Sequence, residues 1–302
     1  MQIDNLKKFS EQTRGKLLFD YDLKKTNWFN IGGKAKAFFK PENLNDLVNF
    51  IKNFGKKEKI FILGLGSNIL IKDKGYDGVV VKLGKNFSNI SLLPNKTIIA
   101  GSSTMDKKVA EFASENSIGG LEFLSCIPGS IGGGIRMNSG CYGTEFKDVL
   151  LSVQAIDRTG KVLTIPSSSI NFKYRTNDLS KDLIFLSASF KGEHKDKNIV
   201  KKNIEILKAK KEETQPMRVK TGGSTFKNPT NNTNKKVWEL IRASVPESTS
   251  FGDATISTKH SNFFVNKNNA TFNDMKKLID HVKDKVKEKT SINLDLEIEI
   301  VG

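Results

Sequence analysis

The chain has 302 residues, with 49 Lys+Arg against 33 Asp+Glu and a formal net charge of +16. A chain of this length buries a sizeable core and is expected to divide into two or three domains. Its basic residues are spread along the whole chain and only six are arginine, which argues against nucleic-acid binding as the main function. A solvated lysine surface explains the charge and would attract an acidic, phosphorylated substrate.

Cysteine usage and hydropathy limit the cellular compartments in which this protein is expected. Cys126 and Cys141 have no CxxC spacing, and no apolar run approaches the roughly 20 residues that cross a bilayer. The chain begins without the apolar stretch of a secretory signal. These features predict a cytoplasmic protein without a structural disulfide, a zinc site or a membrane partner.

The first hundred residues predict short strands and one clear helix. Residues 1–25 predict a short helix with Leu6, Phe9 and Leu17 inward, and residues 26–41 predict two strands around a Gly-Gly turn. Apolar residues at 3-and-4 spacing then predict a helix that begins at Leu44 and ends before Gly55. Further strands are expected at 60–63, 69–71, 78–83 and 97–100, followed by a helix after Thr104.

A glycine loop, LGLGSN, follows the predicted strand at 60–63. Gly64 and Gly66 fit a dinucleotide fingerprint, but Ile69 takes the place of the third glycine and a strand follows. A doubly wound dinucleotide fold is therefore not expected. Gly64, Gly66, Ser67 and Asn68 still suit phosphate binding through backbone N–H groups and short side chains.

The stretch 119–143, GGLEFLSCIPGSIGGGIRMNSGCYG, has eight glycines in twenty-five residues. Residues without a Cβ let a ligand lie directly against backbone N–H groups, so a bulky anion is the expected ligand. Apolar residues between the glycines anchor the stretch in a core. A packed turn that binds nothing is the alternative, which the second glycine loop disfavours.

The second half of the chain predicts more helix. A β-hairpin is expected over 150–165 and a strand over 183–190, then helices over 195–213, after Val237 and after Thr271. Residues 292–301 alternate in hydrophobicity and predict a last strand with Glu297 on its polar side. The expected domain boundary lies after residue 194.

Several motifs together carry a specific resemblance. They read TNWFNIGGKA, LGLGSNILIKDKGYDGVVVKL, GLEFLSCIPGSIGGGIRMNSGCYG, FKYRTNDL, MRVKTGGSTFKNP and LDLEIEIVG. In these motifs and their order, residues 26–302 resemble UDP-N-acetylenolpyruvoylglucosamine reductases of the shorter class, which lack a tyrosine-bearing insertion. The resemblance implies an α+β fold: a two-lobed FAD-binding domain of the vanillyl-alcohol oxidase type, and a smaller α+β substrate-binding domain. The domains would cover 1–194, with lobes of about 1–85 and 86–194, and 195–302.

The resemblance also implies a reaction and its residues. FAD would be the bound cofactor and NADPH the co-substrate, and UDP-N-acetylglucosamine enolpyruvate would be reduced to the peptidoglycan precursor UDP-N-acetylmuramate. Arg175 matches the cation that binds the substrate carboxylate, Ser224 the proton donor and Glu297 the acidic partner. The implied FAD contacts are Gly64, Gly66, Ser67, Asn68, Pro128, Gly129, Ser130, Gly132, Gly133, Asn138 and Gly140. Tyr174, Lys227 and Asn228 are the implied contacts to substrate or nicotinamide cofactor.

Ordinary structural explanations exist for the same residues. Ser224 alone suits a turn, Arg175 a surface ion pair and Glu297 a solvent-facing strand position. Asn228 suits a turn before Pro229, and His260 a structural hydrogen bond. Residues 243–254 depart from the family pattern, so contacts to the uridine diphosphate there stay open.

Two other functions are compatible with the glycine loops. One is another FAD-dependent oxidoreductase on the same scaffold, and the other is a basic nucleotide- or RNA-binding protein without chemistry. The joint presence of Arg175, Ser224 and Glu297 in separate motifs favours the reductase, because an oxidase would not need this set. No obligate protein partner is expected.

Overall fold

The chain contains helices that separate runs of consecutive strands. The computed structural model describes residues 3–229 and 233–302. The helices in these residues are α1 Ile3–Gln12, α2 Leu44–Phe54, α3 Asp106–Glu115, α4 Ile131–Met137, α5 Phe146–Val149, α6 Lys197–Thr214, α7 Val237–Ser244 and α8 Phe272–Thr290. The strands are β1 Lys16–Asp22, β2 Lys34–Lys40, β3 Ile60–Ile62, β4 Ile69–Ile71, β5 Tyr76–Val81, β6 Ile90–Leu92, β7 Thr97–Gly101, β8 Ile118–Gly119, β9 Gly140–Cys141, β10 Thr144–Glu145, β11 Leu150–Ile156, β12 Val162–Pro166, β13 Phe172–Lys173, β14 Thr176–Asn177, β15 Ile184–Lys191, β16 Glu193–His194, β17 Ser250–Phe251, β18 Ala254–Ile256, β19 Phe264–Asn266 and β20 Glu299–Val301.

The chain forms two units, each with its own apolar interior. Unit 1 comprises the residues up to Phe19, Ala37–Leu65 and Gly78–Lys211, and unit 2 comprises Asp20–Lys36, Gly66–Asp77 and Glu212–Gly302. These units do not follow the boundary expected after residue 194. Most of α6 belongs to unit 1 because Val200 and Ile204 are buried in its core, whereas Phe29 and Leu70 are buried in unit 2. The assignment of FAD and substrate to two separate domains stays a prediction.

The first core of unit 1 lies beside a four-stranded sheet with the order β1-β2-β5-β3. The predicted helix α2 is confirmed: Asn43 caps it by accepting the Asp46 N–H at 3.0 Å, and its buried face shares a cluster with Phe39 and Val79. β3 runs parallel to β5. Gly64 therefore follows closely on the end of a half-buried parallel strand.

The second core of unit 1 lies beside an antiparallel sheet with the order β12-β11-β15-β7-β6. The predicted hairpin is confirmed, with Gln154 of β11 opposite Thr164 of β12. Val109 of α3, Ile135 of α4 and Ile204 of α6 are buried in this core. The glycine-rich stretch is therefore anchored on a sheet, and it contains the short helix α4 where the sequence indicated only a loop.

Unit 2 is built from α7, α8 and the small sheet β17-β18-β19. The predicted helix α8 is confirmed: Thr271 accepts the Asp274 N–H at 3.1 Å. Its apolar face is buried at Met275, Leu278, Ile279, Val282 and Val286. β20 pairs in parallel with β4, which places the C-terminal strand beside residues 69–71.

Three predicted elements differ in the structure. Leu17 lies in β1 and not in a helix. The first strand of the hairpin predicted over 26–41 does not form, because Asn27 closes an irregular turn by donating to the carbonyls of Leu23 and Ile31 at 3.0 and 2.8 Å. Only β20 is regular in the predicted strand 292–301, since the preceding residues pair with 225–227 instead.

Every helix in the described residues is too short or too polar to span a bilayer.

Close packing of α4 gives a stability prediction. A Cβ on Gly134 would lie 2.2 Å from Cζ of the fully buried Phe146, so Gly134→Ala is expected to lower the unfolding free energy by about 1–3 kcal/mol. Gly133→Ala is the control, because its Cβ would meet only Ser130 Oγ at 3.7 Å and alanine favours helix. Thermal unfolding of the apoprotein measures both. Equal melting temperatures for the two variants would contradict the packing of Gly134 on Phe146.

Candidate active site

Two glycine segments of unit 1 meet at the side chain of Ser130. A Cβ on Gly64, after β3, would lie 3.1 Å from Ser130 Oγ, and one on Gly133 of α4 would lie 3.7 Å from it. Among the described residues, no other atom outside the local chain comes within 4 Å of either position. Gly64, Ser130 and Gly133, here called the Ser130 cradle, therefore leave open space where backbone can approach a bound anion.

Other glycines of the stretch 119–143 serve packing. Gly132 donates its N–H to the Ser102 carbonyl at 2.8 Å, and a Cβ on Gly129 would lie 2.6 Å from Asp106 Oδ2. Pro128, just before Gly129, is exposed. The stretch thus combines the Ser130 cradle with glycines that close packing requires, and the predicted FAD contacts of Pro128, Gly129 and Gly132 stay predictions.

A buried acid lies against this stretch and was missed by the sequence analysis. Asp106 is fully buried, its N–H donates to the Gly129 carbonyl at 3.1 Å, and neither carboxyl oxygen has a hydrogen-bond partner within the described residues. Burial raises the pKa of Asp106 well above its ordinary value, which favours the neutral acid. The neighbouring hydroxyls of Ser102 and Thr104 are also buried without partners there. Aspartate is common at helix starts, so the sequence alone did not single out this cluster of buried polar side chains.

Arg175 lies in the turn between β13 and β14 with a left-handed backbone (φ 57). Its NH1 donates to Glu145 Oε1 at 3.2 Å, and its NH2 donates to the Gly140 carbonyl at 2.9 Å. The guanidinium carbon lies 4.8 Å from the centre of the Tyr174 ring. A non-glycine residue in this backbone region is strained, and such strain is concentrated at functional sites. The two hydrogen bonds and the Tyr174 ring together hold the guanidinium in one plane.

Asn138 organises the backbone around Arg175. It is fully buried with φ 42, and its Nδ2 donates to Glu145 Oε2 at 3.0 Å and to the Lys173 carbonyl at 3.1 Å. Its Oδ1 accepts the Lys147 N–H at 3.0 Å. The hydrogen bonds of this side chain thus go to protein groups, and its predicted contact with FAD stays a prediction.

Ser224 lies on a short segment of unit 2 that is paired on both sides. Residue 224 forms a β-bridge with Phe263, and Thr225 donates its N–H to the Asn262 carbonyl at 2.8 Å. Gly223 has φ 77, and among the described residues nothing lies within 4 Å of a Cβ built there. Ser224 is therefore half-buried on a fixed backbone beside open space, which suits close approach to a ligand atom.

Glu297 is placed next to Ser224 by backbone pairing. Its N–H donates to the Thr225 carbonyl at 2.9 Å, so residue 297 pairs one position from Ser224. Asn68 holds the same segment, because its Nδ2 donates to the Glu297 carbonyl at 2.9 Å. Unit 2 thus brings the backbone of Glu297 within one position of Ser224, and the convergence of the two side chains stays a prediction.

The loop after Gly64 continues into unit 2. Gly66 has φ 70, and a Cβ there would lie 2.3 Å from the Thr26 carbonyl oxygen, so glycine is required. Ser67 is half-buried, and Asn68 also accepts the Glu299 N–H at 2.9 Å. Gly66 and Asn68 shape the loop, and the cofactor contacts of Gly66, Ser67 and Asn68 stay predictions.

The predicted substrate contacts after Ser224 have structural partners. Lys227 donates its backbone N–H to the Asp295 carbonyl at 2.8 Å, and Asn228 Oδ1 accepts the Val237 N–H at 3.0 Å. Asn228 therefore stabilises the first turn of α7. His260 Nδ1 accepts the Asn262 N–H at 3.3 Å, and burial lowers the pKa of His260, which agrees with the structural role expected for it.

Glu145 is a charged partner of Arg175 that the sequence analysis missed. Its carboxylate accepts hydrogen bonds from Arg175 and Asn138 and forms an ion pair with Lys147. The only local signal is the spacing of Glu145 and Asp148, which is that of a capping box and predicts a helix start. Only the fold brings Arg175 to this carboxylate.

Known proteins resemble the chain over its whole length. It is 62% identical over 301 residues to a UDP-N-acetylenolpyruvoylglucosamine reductase of Pelagibacter ubique, which covers 100% of both chains. It is 43% identical to a reductase of the same name from Rickettsia conorii, over 96% of this chain and 97% of that protein. The crystal structure of a UDP-N-acetylenolpyruvylglucosamine reductase from Thermus caldophilus matches with a TM-score of 0.82 at 26% identity, over 96% of this chain and 99% of that one.

Two family models match separate parts of the chain. One is described as the C-terminal domain of UDP-N-acetylenolpyruvoylglucosamine reductase and matches residues 215–301, and the other is described as an FAD binding domain and matches residues 35–166. The predicted fold class, the FAD cofactor and the oxidoreductase class are confirmed by these matches. The chain belongs to the family of UDP-N-acetylenolpyruvoylglucosamine reductases, as its motifs predicted.

Proposed function

We propose that this chain reduces UDP-N-acetylglucosamine enolpyruvate to UDP-N-acetylmuramate with FAD and NADPH, in the cytoplasm, as a step of peptidoglycan precursor synthesis. The observation that carries the proposal is the 62% identity to a reductase of that name over the full length of both chains. The similarity therefore includes the FAD-binding segment and the C-terminal segment with Ser224 and Glu297.

The Ser130 cradle fits the diphosphate of FAD. Gly64 and Gly133 expose backbone on two segments that meet at one hydroxyl, and a Cβ on either would enter the space between them. Backbone N–H groups bind phosphate oxygens without adding side-chain charge. Once bound, the flavin would accept hydride from NADPH and pass it to the terminal carbon of the enolpyruvyl group.

Arg175 is proposed to bind the carboxylate of the enolpyruvyl group. Negative charge develops toward this carboxylate during reduction, and a guanidinium held in place stabilises such charge without reorganising. Its NH1 and NH2 donate to Glu145 and to the Gly140 carbonyl, which orients the guanidinium. The planar geometry of a guanidinium matches that of a carboxylate.

Ser224 is proposed to donate the proton that the neighbouring substrate carbon needs. A serine hydroxyl is a weak acid, so its surroundings must stabilise the alkoxide for a short time. Glu297, whose backbone pairs with residue 225, is the proposed acidic partner, and Lys227 and Tyr174 are proposed to contact the substrate or the nicotinamide cofactor. Asn228 would contribute mainly by holding the start of α7.

Separate half-reactions test this function. Under anaerobic conditions, NADPH is expected to bleach the visible absorbance of the bound flavin, and the enolpyruvyl substrate is expected to restore it with formation of UDP-N-acetylmuramate. UDP-N-acetylglucosamine, which lacks the enolpyruvyl group, is the control and should restore nothing. A reduced flavin that is reoxidised by oxygen but not by the enolpyruvyl substrate would support an oxidase instead.

A further inference from the structure

The carboxylate of Glu145 is the centre of a charged cluster in unit 1. Oε1 accepts from Arg175 NH1 at 3.2 Å, while Oε2 accepts from Asn138 Nδ2 at 3.0 Å and lies 3.1 Å from Lys147 Nζ. The side chains of Glu145 and Arg175 are 18% and 16% exposed, so this ion pair is largely removed from solvent. Such a pair is screened much less than one on the surface.

We infer that Glu145 is a positioning residue, which fixes the Arg175 guanidinium for the substrate carboxylate. The inference rests on the proposed function, because it requires Arg175 to bind that carboxylate. Arginine loses rotamer entropy when it is held in one place, and a carboxylate partner supplies that restraint before the substrate arrives.

Two acceptors fix both the position and the plane of the guanidinium. Glu145 Oε1 and the Gly140 carbonyl accept from different terminal nitrogens, and the Tyr174 ring lies against the guanidinium carbon. With only one acceptor, the planar group could still rotate about that bond. Glu145 is the charged member of the set and therefore the strongest restraint.

The second oxygen of Glu145 is neutralised by other groups. Lys147 and the Asn138 amide both lie at Oε2, so the carboxylate does not present unbalanced negative charge to an anionic substrate. Among the three side chains of these two ion pairs, Arg175 and Lys147 are positive and Glu145 is negative, which gives a formal sum of +1. Glu145 can thus orient Arg175 without cancelling the attraction for a carboxylate.

Glu145→Gln tests the inference, because glutamine keeps an acceptor for the capping box of α5 but loses the charge. We expect flavin reoxidation by the enolpyruvyl substrate to slow by about 10–100-fold, as small misplacements of a positioned group cost up to that much. Flavin reduction by NADPH should stay within about twofold, because that half-reaction does not involve the enolpyruvyl carboxylate. Glu145→Asp, which keeps the charge on a shorter side chain, should give an intermediate rate.

Asp148→Asn is the matched control. Asp148 Oδ2 accepts the Glu145 N–H at 2.8 Å and completes the same capping box, so its replacement disturbs the helix start but keeps both members of the Glu145–Arg175 ion pair. It should leave reoxidation unchanged. If Asp148→Asn slows reoxidation as much as Glu145→Gln does, the effect comes from the helix cap and the inference is wrong.

A double-mutant cycle with Arg175→Met distinguishes positioning from a general structural role. If Glu145 acts through Arg175, adding Glu145→Gln to Arg175→Met should slow reoxidation no further. Effects that multiply would overturn the inference, as would a normal rate for Glu145→Gln beside a slow Arg175→Met. A normal rate for Arg175→Met would refute the proposed use of Arg175 itself, and with it the inference. Melting temperatures verify that each variant is folded, and Glu145→Asp replaces Glu145→Gln if that variant does not fold.

Discussion

Replacing Ser224 by alanine is expected to slow reoxidation of the flavin by the enolpyruvyl substrate by about 10²–10⁴-fold, the usual contribution of a positioned general acid. Reduction of the flavin by NADPH should be unaffected, because that half-reaction needs no proton from this hydroxyl. The backbone of Ser224 is fixed by its bridge to Phe263, so the substitution should not move Glu297. Stopped-flow absorbance with each substrate separately measures both rates.

The control for Ser224→Ala is Thr225→Val. The Thr225 hydroxyl is fully buried and has no hydrogen-bond partner within the described residues, and valine has nearly the same shape. This variant removes a hydroxyl one residue away and should leave both half-reactions intact. Equal losses in the two half-reactions of Ser224→Ala would contradict the proton-donor role and indicate damage to the FAD site.

Replacing Gly64 by valine is expected to weaken FAD binding by about 150-fold. Three added carbons would enter the Ser130 cradle, and overpacking of a tight site costs up to about 3 kcal/mol, which corresponds to that loss. The apoprotein should still fold, because Gly64 has no left-handed backbone and only Ser130 Oγ lies within 4 Å of its Cβ position. Titration of the apoprotein with FAD, followed by flavin fluorescence, measures the affinity.

Gly84→Val is the matched control for Gly64→Val. Gly84 also belongs to unit 1 and has extended backbone, and no described atom outside its neighbours lies within 4 Å of a Cβ there. It should bind FAD with unchanged affinity. A Gly64→Val protein that binds FAD as tightly as the Gly84→Val protein would place the diphosphate elsewhere than the Ser130 cradle.

Prediction from the sequence succeeded where local patterns decide the structure. α2 and α8 formed as predicted because their caps, Asn43 and Thr271, and their apolar faces lie within single segments. The prediction failed at Leu17 and at residues 26–31, where hydrophobic periodicity does not reveal the hydrogen bonds that decide the backbone conformation. Asn27 closes its turn by bonding two carbonyls, and hydrophobic alternation does not report such bonds.

The same division holds for the candidate site. The motifs singled out Arg175, Ser224 and Glu297, but they gave no reason why residue 297 should lie beside Ser224. That proximity depends on the hydrogen bond from the Glu297 N–H to the Thr225 carbonyl. It also depends on the bond from Asn68 Nδ2 to the Glu297 carbonyl, which joins residues more than two hundred positions apart in the sequence. Pairings over such separations depend on the whole fold, since no local preference favours them.

The amino-acid sequence by itself determined the family and the cofactor class, because glycine loops and short motifs are local features that can be recognised without knowledge of the fold. Only the tertiary structure decided which glycines surround Ser130 and which glycines are required by close packing. Only the tertiary structure also showed that Glu145 accepts a hydrogen bond from Arg175. The physical reason is that space around a missing Cβ and the partner of a charged side chain are set by segments distant in sequence.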